Sequence, residues 1–175
     1  KLWNYQAPKK SIKFLKETIT IKPENILDLA CGTGLFGIEL KKIYPKSNIY
    51  GSDISKKSLK ILSDKKIYIK LKNKNFEELH YYNTKFDLIS LIGSMTYCKN
   101  FKKLFANINK NIKKKGFVLF THRVDLWMQQ DFINILKKHQ KTFKITKISR
   151  PLNYLPFNKD FENKIKIKIV LLQKY

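Results

Sequence analysis

The chain has 175 residues, of which 37 are basic and 13 are acidic, so its formal net charge is +24. With 43% hydrophobic and 13% aromatic residues it has enough apolar material for one core, which excludes a wholly disordered protein. No apolar run approaches the roughly 20 residues that cross a bilayer, so no membrane-spanning helix is expected. We therefore expect a single domain over residues 1–175.

The positive charge consists almost entirely of lysine. Only Arg123 and Arg150 are arginines, although arginine is the preferred group for bidentate phosphate contacts. The lysines are also spread evenly along the chain, with one local cluster at 113–115. This pattern favours a solvated surface of biased composition, and a nucleic-acid partner such as RNA is the alternative.

The two cysteines, Cys31 and Cys98, lie far apart and have no metal-type spacing. They predict neither a disulfide scaffold nor a metal site, and we expect reduced thiols in a cytoplasmic, monomeric protein. The first residue is Lys1 rather than Met, so the natural N-terminus is expected to be missing. A targeting segment therefore cannot be judged from this sequence.

Helical and strand-like segments alternate in the first half of the chain. Apolar residues at spacings of three and four, namely Ile12, Leu15 and Ile19, predict a helix over 8–20. A short apolar run predicts a strand over 26–30, which ends in the glycine-bearing loop 31–34. The further elements predicted in this half are a helix over 35–44, a strand over 48–52, a helix over 55–65 with Ser55 as its N-cap, and a strand over 67–71.

The same alternation continues in the second half. The predicted elements are a strand over 86–92, a helix over 99–113, a strand over 117–121, a helix over 126–139, and strands over 143–149 and 164–172. Strands that alternate with helices indicate an α/β fold with a mostly parallel sheet covered on both faces. No helix separates the last two of the seven strands, so a terminal hairpin with one antiparallel strand is expected.

The most informative segment is the turn between the first strand and the following helix. Gly32 and Gly34 let the backbone approach a ligand and expose its amides, and the small Ala30 keeps the turn tight. About 20 residues later, Asp53 stands at the end of the next strand, where a carboxylate can bind both hydroxyls of a ribose. A tight turn without a ligand, with Asp53 as an ordinary N-cap, is the simpler alternative.

The glycine spacing also permits a second class of enzyme. Gly32-x-Gly34-x-x-Gly37 matches the dinucleotide fingerprint, which predicts an NAD-dependent oxidoreductase. Two features argue against it. Asp28 lies inside the strand, where a dinucleotide fold usually has an apolar residue, and no second half is present to complete a six-stranded dinucleotide domain.

Four segments in the correct order resemble the class I S-adenosylmethionine-dependent methyltransferases. ILDLACGTGLFG (26–37) resembles their first motif, and YGSDIS (50–55) resembles the motif of the second strand. FDLISLIGSMTY (86–97) and KKKGFVLFTHR (113–123) resemble the motifs of the fourth and fifth strands. The resemblance implies a Rossmann-like three-layer fold, S-adenosylmethionine as cofactor and S-adenosylhomocysteine as product.

Short strings resemble the methyltransferase-like 27 (Williams–Beuren region) branch more narrowly. They are YQAP near the N-terminus, IGSMT, the end of strand five and the alternating C-terminal strand. In related proteins a Tyr-rich segment upstream of YQAP folds over the cofactor. The resemblance therefore implies that this cap is truncated here and that Trp3 and Tyr5 are its remnant.

The resemblance also implies roles for matching residues. Asp28 would orient the turn or approach the amino-acid end of the cofactor. The turn residues expected to contact its carboxylate and sulfonium region are Ala30, Cys31, Gly32 and Gly34.

The remaining cofactor contacts implied by the resemblance follow three other strands. Asp53 and Ile54 would hold ribose and adenine. After strand three the family usually has an Asp near the adenine amino group, and here Asn75 is the substitute acceptor, with Phe76 as an apolar cover. The residues expected near the methionine moiety are Leu91, Ile92 and Gly93.

The catalytic residue is not identified by the sequence. Candidates lie at the carboxyl ends of strands four and five, where open α/β sheets bind ligands, and they are Ser94, Tyr97, His122 and Arg123. His122 is a possible general base, with a structural histidine as the alternative. Arg123 can pair with an acidic substrate group or form an ordinary surface ion pair. His80 and His139 lie in polar segments and are expected to be solvated.

The segment after strand four argues against some acceptors. Residues 93–96 read Gly-Ser-Met-Thr, without the Asn/Asp-Pro-Pro-aromatic string of enzymes that methylate adenine amines or glutamine. Cys98 follows Tyr97 and not a proline, unlike the nucleophile of cytosine C5 enzymes. A small-molecule acceptor is favoured, with RNA or protein behind it. Three aromatic residues of loop 150–163 can form a wall of the acceptor pocket: Tyr154, Phe157 and Phe161.

Overall fold

A computed structural model describes residues 4–78, 83–160 and 164–175. Its helices are α1 (Ala7–Thr18), α2 (Leu35–Ile43), α3 (Lys56–Ser63), α4 (Phe101–Asn111), α5 (Val124–Gln129) and α6 (Phe132–Lys138), with a 3₁₀ turn at Met95–Tyr97. Its strands are β1 (Asn25–Leu29), β2 (Asn48–Asp53), β3 (Lys70–Asn73), β4 (Phe86–Leu91), β5 (Ile112–Arg123), β6 (Phe143–Ile148), β7 (Leu152–Asn153) and β8 (Lys166–Lys174).

The strands form one mixed sheet in the order β3-β2-β1-β4-β5-β8-β6, and β7 pairs with β8. The first five strands in this order, from β3 to β5, are all parallel to their neighbours. Strand β8 runs antiparallel to β5, β6 and β7. The mostly parallel Rossmann-like arrangement is therefore confirmed. The described residues form eight strands, one more than the seven predicted, because the two-residue strand β7 is added.

Helices cover both faces of the sheet, and each face has its own apolar core. On one face α1 and α2 pack residues such as Leu15 and Leu40 against the strands. On the other, α4 and α6 contribute Phe105 and Phe132. Alternate residues of β8 enter opposite cores, as expected for a strand that is buried on both sides.

Three elements differ from the sequence prediction. The strand predicted over 67–71 is displaced to Lys70–Asn73 (β3), because its parallel pairing with β2 begins at Lys70, opposite Tyr50. The helix predicted over 126–139 is split into α5 and α6 at Asp131, whose φ of 48° is left-handed and interrupts an α-helix. Strand β5 begins at Ile112 instead of 117, because Ile112 pairs with Phe86 of β4. The N-cap prediction is confirmed, since Ser55 Oγ accepts a hydrogen bond of 3.2 Å from the Ser58 amide.

The sheet register places the ends of several strands together. Leu29 of β1 pairs with Ser52 of β2, and Asp28 of β1 pairs with Ser90 of β4. Because these three strands are parallel, their carboxyl ends meet at one edge of the sheet. None of the helices within the described ranges is long and apolar enough to cross a membrane.

Candidate functional site

The turn after β1 is held in a left-handed backbone conformation. Ala30, Gly32 and Gly34 have φ values of 51°, 53° and 82°. Gly34 is also the N-cap of α2 and makes no side-chain cap. The first amides of an α-helix have no partner within the helix, so those of Leu35 and Phe36 are suited to receive an anionic group.

Asp53 points at this turn from the end of β2. Its Oδ2 accepts a hydrogen bond of 2.8 Å from the Gly32 amide, and its Oδ1 accepts one of 2.8 Å from the Ser55 amide. A carboxylate has about four acceptor positions, so roughly two remain. Since Asp53 is half-buried and lines a cavity, those positions are available to a ligand.

A cleft in two adjoining parts runs along the carboxyl ends of β1, β2 and β4. The part beside α2 has a volume of about 200 Å³ and the part beside β2 about 230 Å³. Ala30 and Ile92 line both parts, so the two adjoin there. One side of the cleft, residues 28–37 with Asp53, is named the glycine wall. The other side, Lys74 and Phe76 with residues 92–97, is named the aromatic wall.

Asp28 is the first residue of the glycine wall and contributes to the lining of the cleft, but it is only 1% exposed. It accepts hydrogen bonds from Tyr68 Oη at 2.6 Å and Ser90 Oγ at 2.8 Å. Burial raises the pKa of Asp28 to about 6, although the two hydrogen bonds act in the opposite direction. Asp28 thus supports the turn from beneath.

Tyr68 explains the third glycine of the motif. A Cβ atom placed on Gly37 would lie 2.1 Å from Tyr68 Oη, and one placed on Gly51 would lie 2.8 Å from the Tyr68 ring. The need for space around Tyr68 therefore explains why residue 37 is a glycine, and a bound dinucleotide phosphate is not needed as the explanation. The sequence does not reveal this role of Tyr68, because Tyr68 has the pattern of an ordinary residue in the strand predicted over 67–71, whereas in the structure it precedes β3.

The part of the cleft beside β2 has two exposed apolar side chains and one buried hydroxyl without a partner among the described residues. Ile54 at the cleft is 69% exposed, and Tyr97 is 74% exposed. Gly93 adopts a φ of 83°, and its amide donates to Thr121 Oγ1 at 2.8 Å. Ser94 Oγ is buried, lines the cleft and has no hydrogen-bond partner among the described residues. A ligand in this part of the cleft would cover the apolar groups and reach the hydroxyl.

The residues after β3 are arranged differently from their expected roles. Phe76 and Lys74 line the cleft, but Asn75 is not among its lining residues. Asn75 Oδ1 instead accepts a hydrogen bond of 2.9 Å from the Glu77 amide. The amide group of Asn73 donates to the carbonyl oxygens of Asp53 and Ile54, at 3.0 and 2.9 Å, and so fixes the end of β2.

His122 is enclosed by aromatic side chains. It is 1% exposed, its ring centroid lies 4.5 Å from that of Phe132, and its Nε2 lies 3.0 Å from Gln130 Oε1. Burial lowers the pKa of His122 to about 4. The structure thus places His122 among core aromatic rings and outside the lining of the cleft.

The other candidate residues are found in varied settings. Arg123 forms a bidentate ion pair with Asp125, with N···O distances of 3.1 and 2.5 Å. Tyr97 and Ser94 line the cleft. His139, which was expected to be solvated, is partly buried, with its ring centroid 4.5 Å from that of Phe105. His80 lies outside the described residues.

Tyrosines from two segments meet above the end of β4. Tyr5 lines the cleft, and its ring packs edge-on against Tyr154 at 5.6 Å. A Cβ on Gly93 would lie 2.5 Å from Tyr5 Oη, so Tyr5 closes directly over this glycine. Of the three aromatic residues expected from loop 150–163, Tyr154 therefore packs beside Tyr5 near the cleft, and Phe157 is exposed. Phe161 and Trp3 lie outside the described residues.

Both cysteines are free and buried. Burial raises the pKa of the Cys31 thiol and brings that of Cys98 to about 12. Both thiols are therefore protonated at neutral pH, and neither is an activated nucleophile. The described residues contain no group of three or more His, Cys, Asp or Glu side chains suited to a metal ion.

Comparison with curated proteins finds a partial match. The chain is 37% identical over 101 residues to malonyl-[acyl-carrier protein] O-methyltransferase 2 of Ilyobacter polytropus. The match covers 55% of this chain and 38% of that protein. The chain spans less than two fifths of the length of the curated relatives that it matches first.

Solved structures share the fold. An S-adenosylmethionine-dependent methyltransferase from Clostridium acetobutylicum aligns with a TM-score of 0.73 at 18% identity, over 96% of this chain and 90% of that one. The O-methyltransferase of a trans-AT PKS multienzyme from Brevibacillus brevis, in complex with S-adenosyl-L-homocysteine, aligns with a TM-score of 0.72 at 20% identity, over 97% and 72%. At these identities the likeness establishes the fold.

The family comparison covers most of the chain. Residues 22–167 match the family described as "Methyltransferase domain". This range includes the glycine turn, Asp53, the aromatic wall and strand β5. The chain belongs to this methyltransferase domain family.

Proposed function

We propose that this domain transfers a methyl group from S-adenosylmethionine to a small-molecule acceptor. The observation that carries the proposal is the Asp53 carboxylate. It binds the Gly32 amide at 2.8 Å and faces the cleft with acceptor positions to spare. Two adjacent ribose hydroxyls are the ligand groups that best suit a carboxylate in this position.

The other groups of the cleft fit the rest of the cofactor. The amides at the start of α2 suit its carboxylate, since a helix N-terminus carries partial positive charge. The exposed Ile54 and the half-buried Phe76 suit the apolar faces of adenine, and the Ser94 hydroxyl offers one more polar contact. The carboxylates of Asp28 and Asp53 make the glycine wall favourable for the cationic sulfonium.

The cofactor, when bound, supplies an already activated methyl group. The chain's residues then have to hold the acceptor in line with it and exclude water. Tyr5 and Tyr154 place their hydroxyls next to Gly93, and burial raises the pKa of both. Their hydroxyls therefore stay protonated and donate hydrogen bonds to the acceptor.

We propose a carboxylate as the first acceptor to test. Its oxygen is ionised at neutral pH and needs no general base, whereas His122 is packed among core rings. The tyrosine hydroxyls near Gly93 are hydrogen-bond donors, so they can orient a carboxylate acceptor. The curated relatives are named malonyl-[acyl-carrier protein] O-methyltransferases, which supports an acceptor of this kind.

The alternatives have less support. The third glycine of the dinucleotide motif no longer supports an NAD-dependent oxidoreductase, because Gly37 is explained by its contact with Tyr68. The basic cavity beside β5 is lined by Lys22 and residues 113–115, which are lysines, and not by the arginines that nucleic-acid recognition favours. The single-domain organisation, the monomeric state, the cytoplasmic location and the methyltransferase-like 27 branch stay predictions.

Calorimetric titration of the folded protein tests the cofactor. We expect heat of binding with S-adenosylhomocysteine and none with NAD⁺, and the reverse result would overturn the proposal. Transfer of a radiolabelled methyl group from S-adenosylmethionine to a malonyl thioester, compared with transfer to total RNA, then tests the acceptor class.

A further inference from the structure

Glu77 is a buried carboxylate next to the cleft but not part of its lining. It is only 5% exposed. Its Oε1 accepts a hydrogen bond of 2.9 Å from the Lys99 amide, and its Oε2 accepts one of 3.0 Å from the Asn100 amide. Both carboxylate oxygens are therefore bound to the segment that precedes α4.

These hydrogen bonds connect two pieces of the aromatic wall. Phe76 lines the cleft and directly precedes Glu77, and Tyr97 lines it two residues before Lys99. The segments are more than 20 positions apart in the sequence, and β4 runs between them. Through Glu77, the position of Phe76 becomes dependent on the position of Tyr97.

The main chain of Glu77 is held as well. Its amide donates to Asn75 Oδ1 at 2.9 Å, and its carbonyl oxygen accepts from the Asn107 side chain in α4. The carboxylate also lies at the N-terminus of α4, where the helix dipole favours negative charge. A buried carboxylate with two amide donors is a strong and directional contact.

We infer that Glu77 is a positioning residue for the cofactor: it sets the separation of Phe76 and Tyr97, and with it the affinity of the cleft for the adenine end. The inference rests on the proposed function. A Glu77 side chain that only stabilised α4 would affect folding, and cofactor affinity would not change in the folded protein.

The experiment compares Glu77→Ala and Glu77→Gln with Glu78→Gln. Glu78 is the matched control, because it is the next residue and pairs with Lys103 of α4 at 2.7 Å, but it is exposed and does not line the cleft. Each variant is titrated with S-adenosylhomocysteine and assayed for KM and kcat with S-adenosylmethionine and the acceptor identified for the wild type.

For Glu77→Ala we expect the Kd for S-adenosylhomocysteine and the KM for S-adenosylmethionine to rise about tenfold, as two amides lose their acceptor. The kcat at saturating cofactor is expected to change less than about twofold. Glu77→Gln retains one acceptor oxygen and is expected to lie between Glu77→Ala and the wild type. Glu78→Gln is expected to match the wild type.

Unchanged Kd and KM in folded Glu77→Ala would overturn the inference, as would a fall in kcat alone. If Glu77→Ala does not fold, Glu77→Gln is used in its place: unchanged Kd and KM, or a fall in kcat alone, would overturn the inference. A wild-type protein that binds no S-adenosylhomocysteine would refute the proposed function itself. That result is distinguishable, because it does not depend on any variant.

Discussion

The two walls of the cleft are built in different ways. The glycine wall is a single stretch of chain, residues 28–37, closed by one carboxylate at Asp53. The aromatic wall joins two separate segments, and Glu77 connects them through hydrogen bonds to the backbone before α4. The first wall depends on local backbone conformation, and the second depends on contacts between residues distant in the sequence.

This difference determines which features the sequence can reveal. A left-handed turn favours glycine and small residues, so it leaves a recognisable local motif. A contact such as that of Glu77 with Lys99 and Asn100 leaves none, because any buried carboxylate between two elements looks the same in the sequence. Single substitutions in each wall can therefore show how far that wall depends on its own residues.

Asp53→Ala is expected to break the glycine wall most severely. The ligand loses charge-assisted hydrogen bonds to its ribose, and the Gly32 amide loses its acceptor. We expect binding of S-adenosylhomocysteine to weaken at least about 100-fold, measured by calorimetry. Asp64→Ala, at an exposed site after α3, is the control and is expected to bind normally. A change of less than about fivefold in Asp53→Ala would contradict a ribose-binding role.

Asp28 is expected to make the free energy of unfolding depend on pH. Its pKa is about 6 in the folded state, against 3.8 for an ordinary Asp, so the folded protein binds the proton more tightly. The free energy of unfolding should therefore fall by about 3 kcal/mol as pH rises from about 4 to about 6. Urea unfolding at several pH values should show this fall in the wild type but not in Asp28→Asn. Parallel curves for the two proteins would contradict the prediction.

Gly37→Ala tests the packing of Tyr68 beneath the same wall. The new Cβ would overlap Tyr68 Oη, which Asp28 holds in place. We expect a loss of about 2 kcal/mol in the free energy of unfolding, despite the better helix propensity of alanine. In a Tyr68→Ala background the same substitution should cost much less, which a double-mutant cycle measures. An equal cost in both backgrounds would show that Tyr68 is not the cause.

Ser94→Ala tests the aromatic wall with the smallest expected effect. The Ser94 hydroxyl is buried without a partner in the described residues, so its removal should not lower the melting temperature of the ligand-free protein. If a bound ligand supplies that partner, affinity for S-adenosylhomocysteine should fall about fivefold, by roughly 1 kcal/mol. Loss of stability without loss of affinity would argue against a ligand contact.

The parts of the site that the sequence predicted are those with local signals. The left-handed turn of Gly32 and Gly34, and the position of Asp53 beside it, follow from a strand that turns directly into a helix. The order of the elements follows from alternating periodicity. Both signals reside within a few residues of chain.

The parts that it did not predict arise from tertiary contacts. Tyr68 lies under the turn because Gly37 and Gly51 leave room for it, and this relation joins α2, β2 and the segment before β3. The left-handed Asp131 splits a continuous helical pattern without a glycine or proline to announce it. The two-residue strand β7 is too short for a periodic signal.

The position of β8 has a consequence for synthesis. The strand at Lys166–Lys174 lies between β5 and β6, both of which precede it in the chain. As the ribosome extends the polypeptide, these two neighbours emerge with facing backbone edges that no strand yet bridges. We therefore expect the nascent protein to bind chaperones and to be most prone to aggregation just before β8 leaves the exit tunnel.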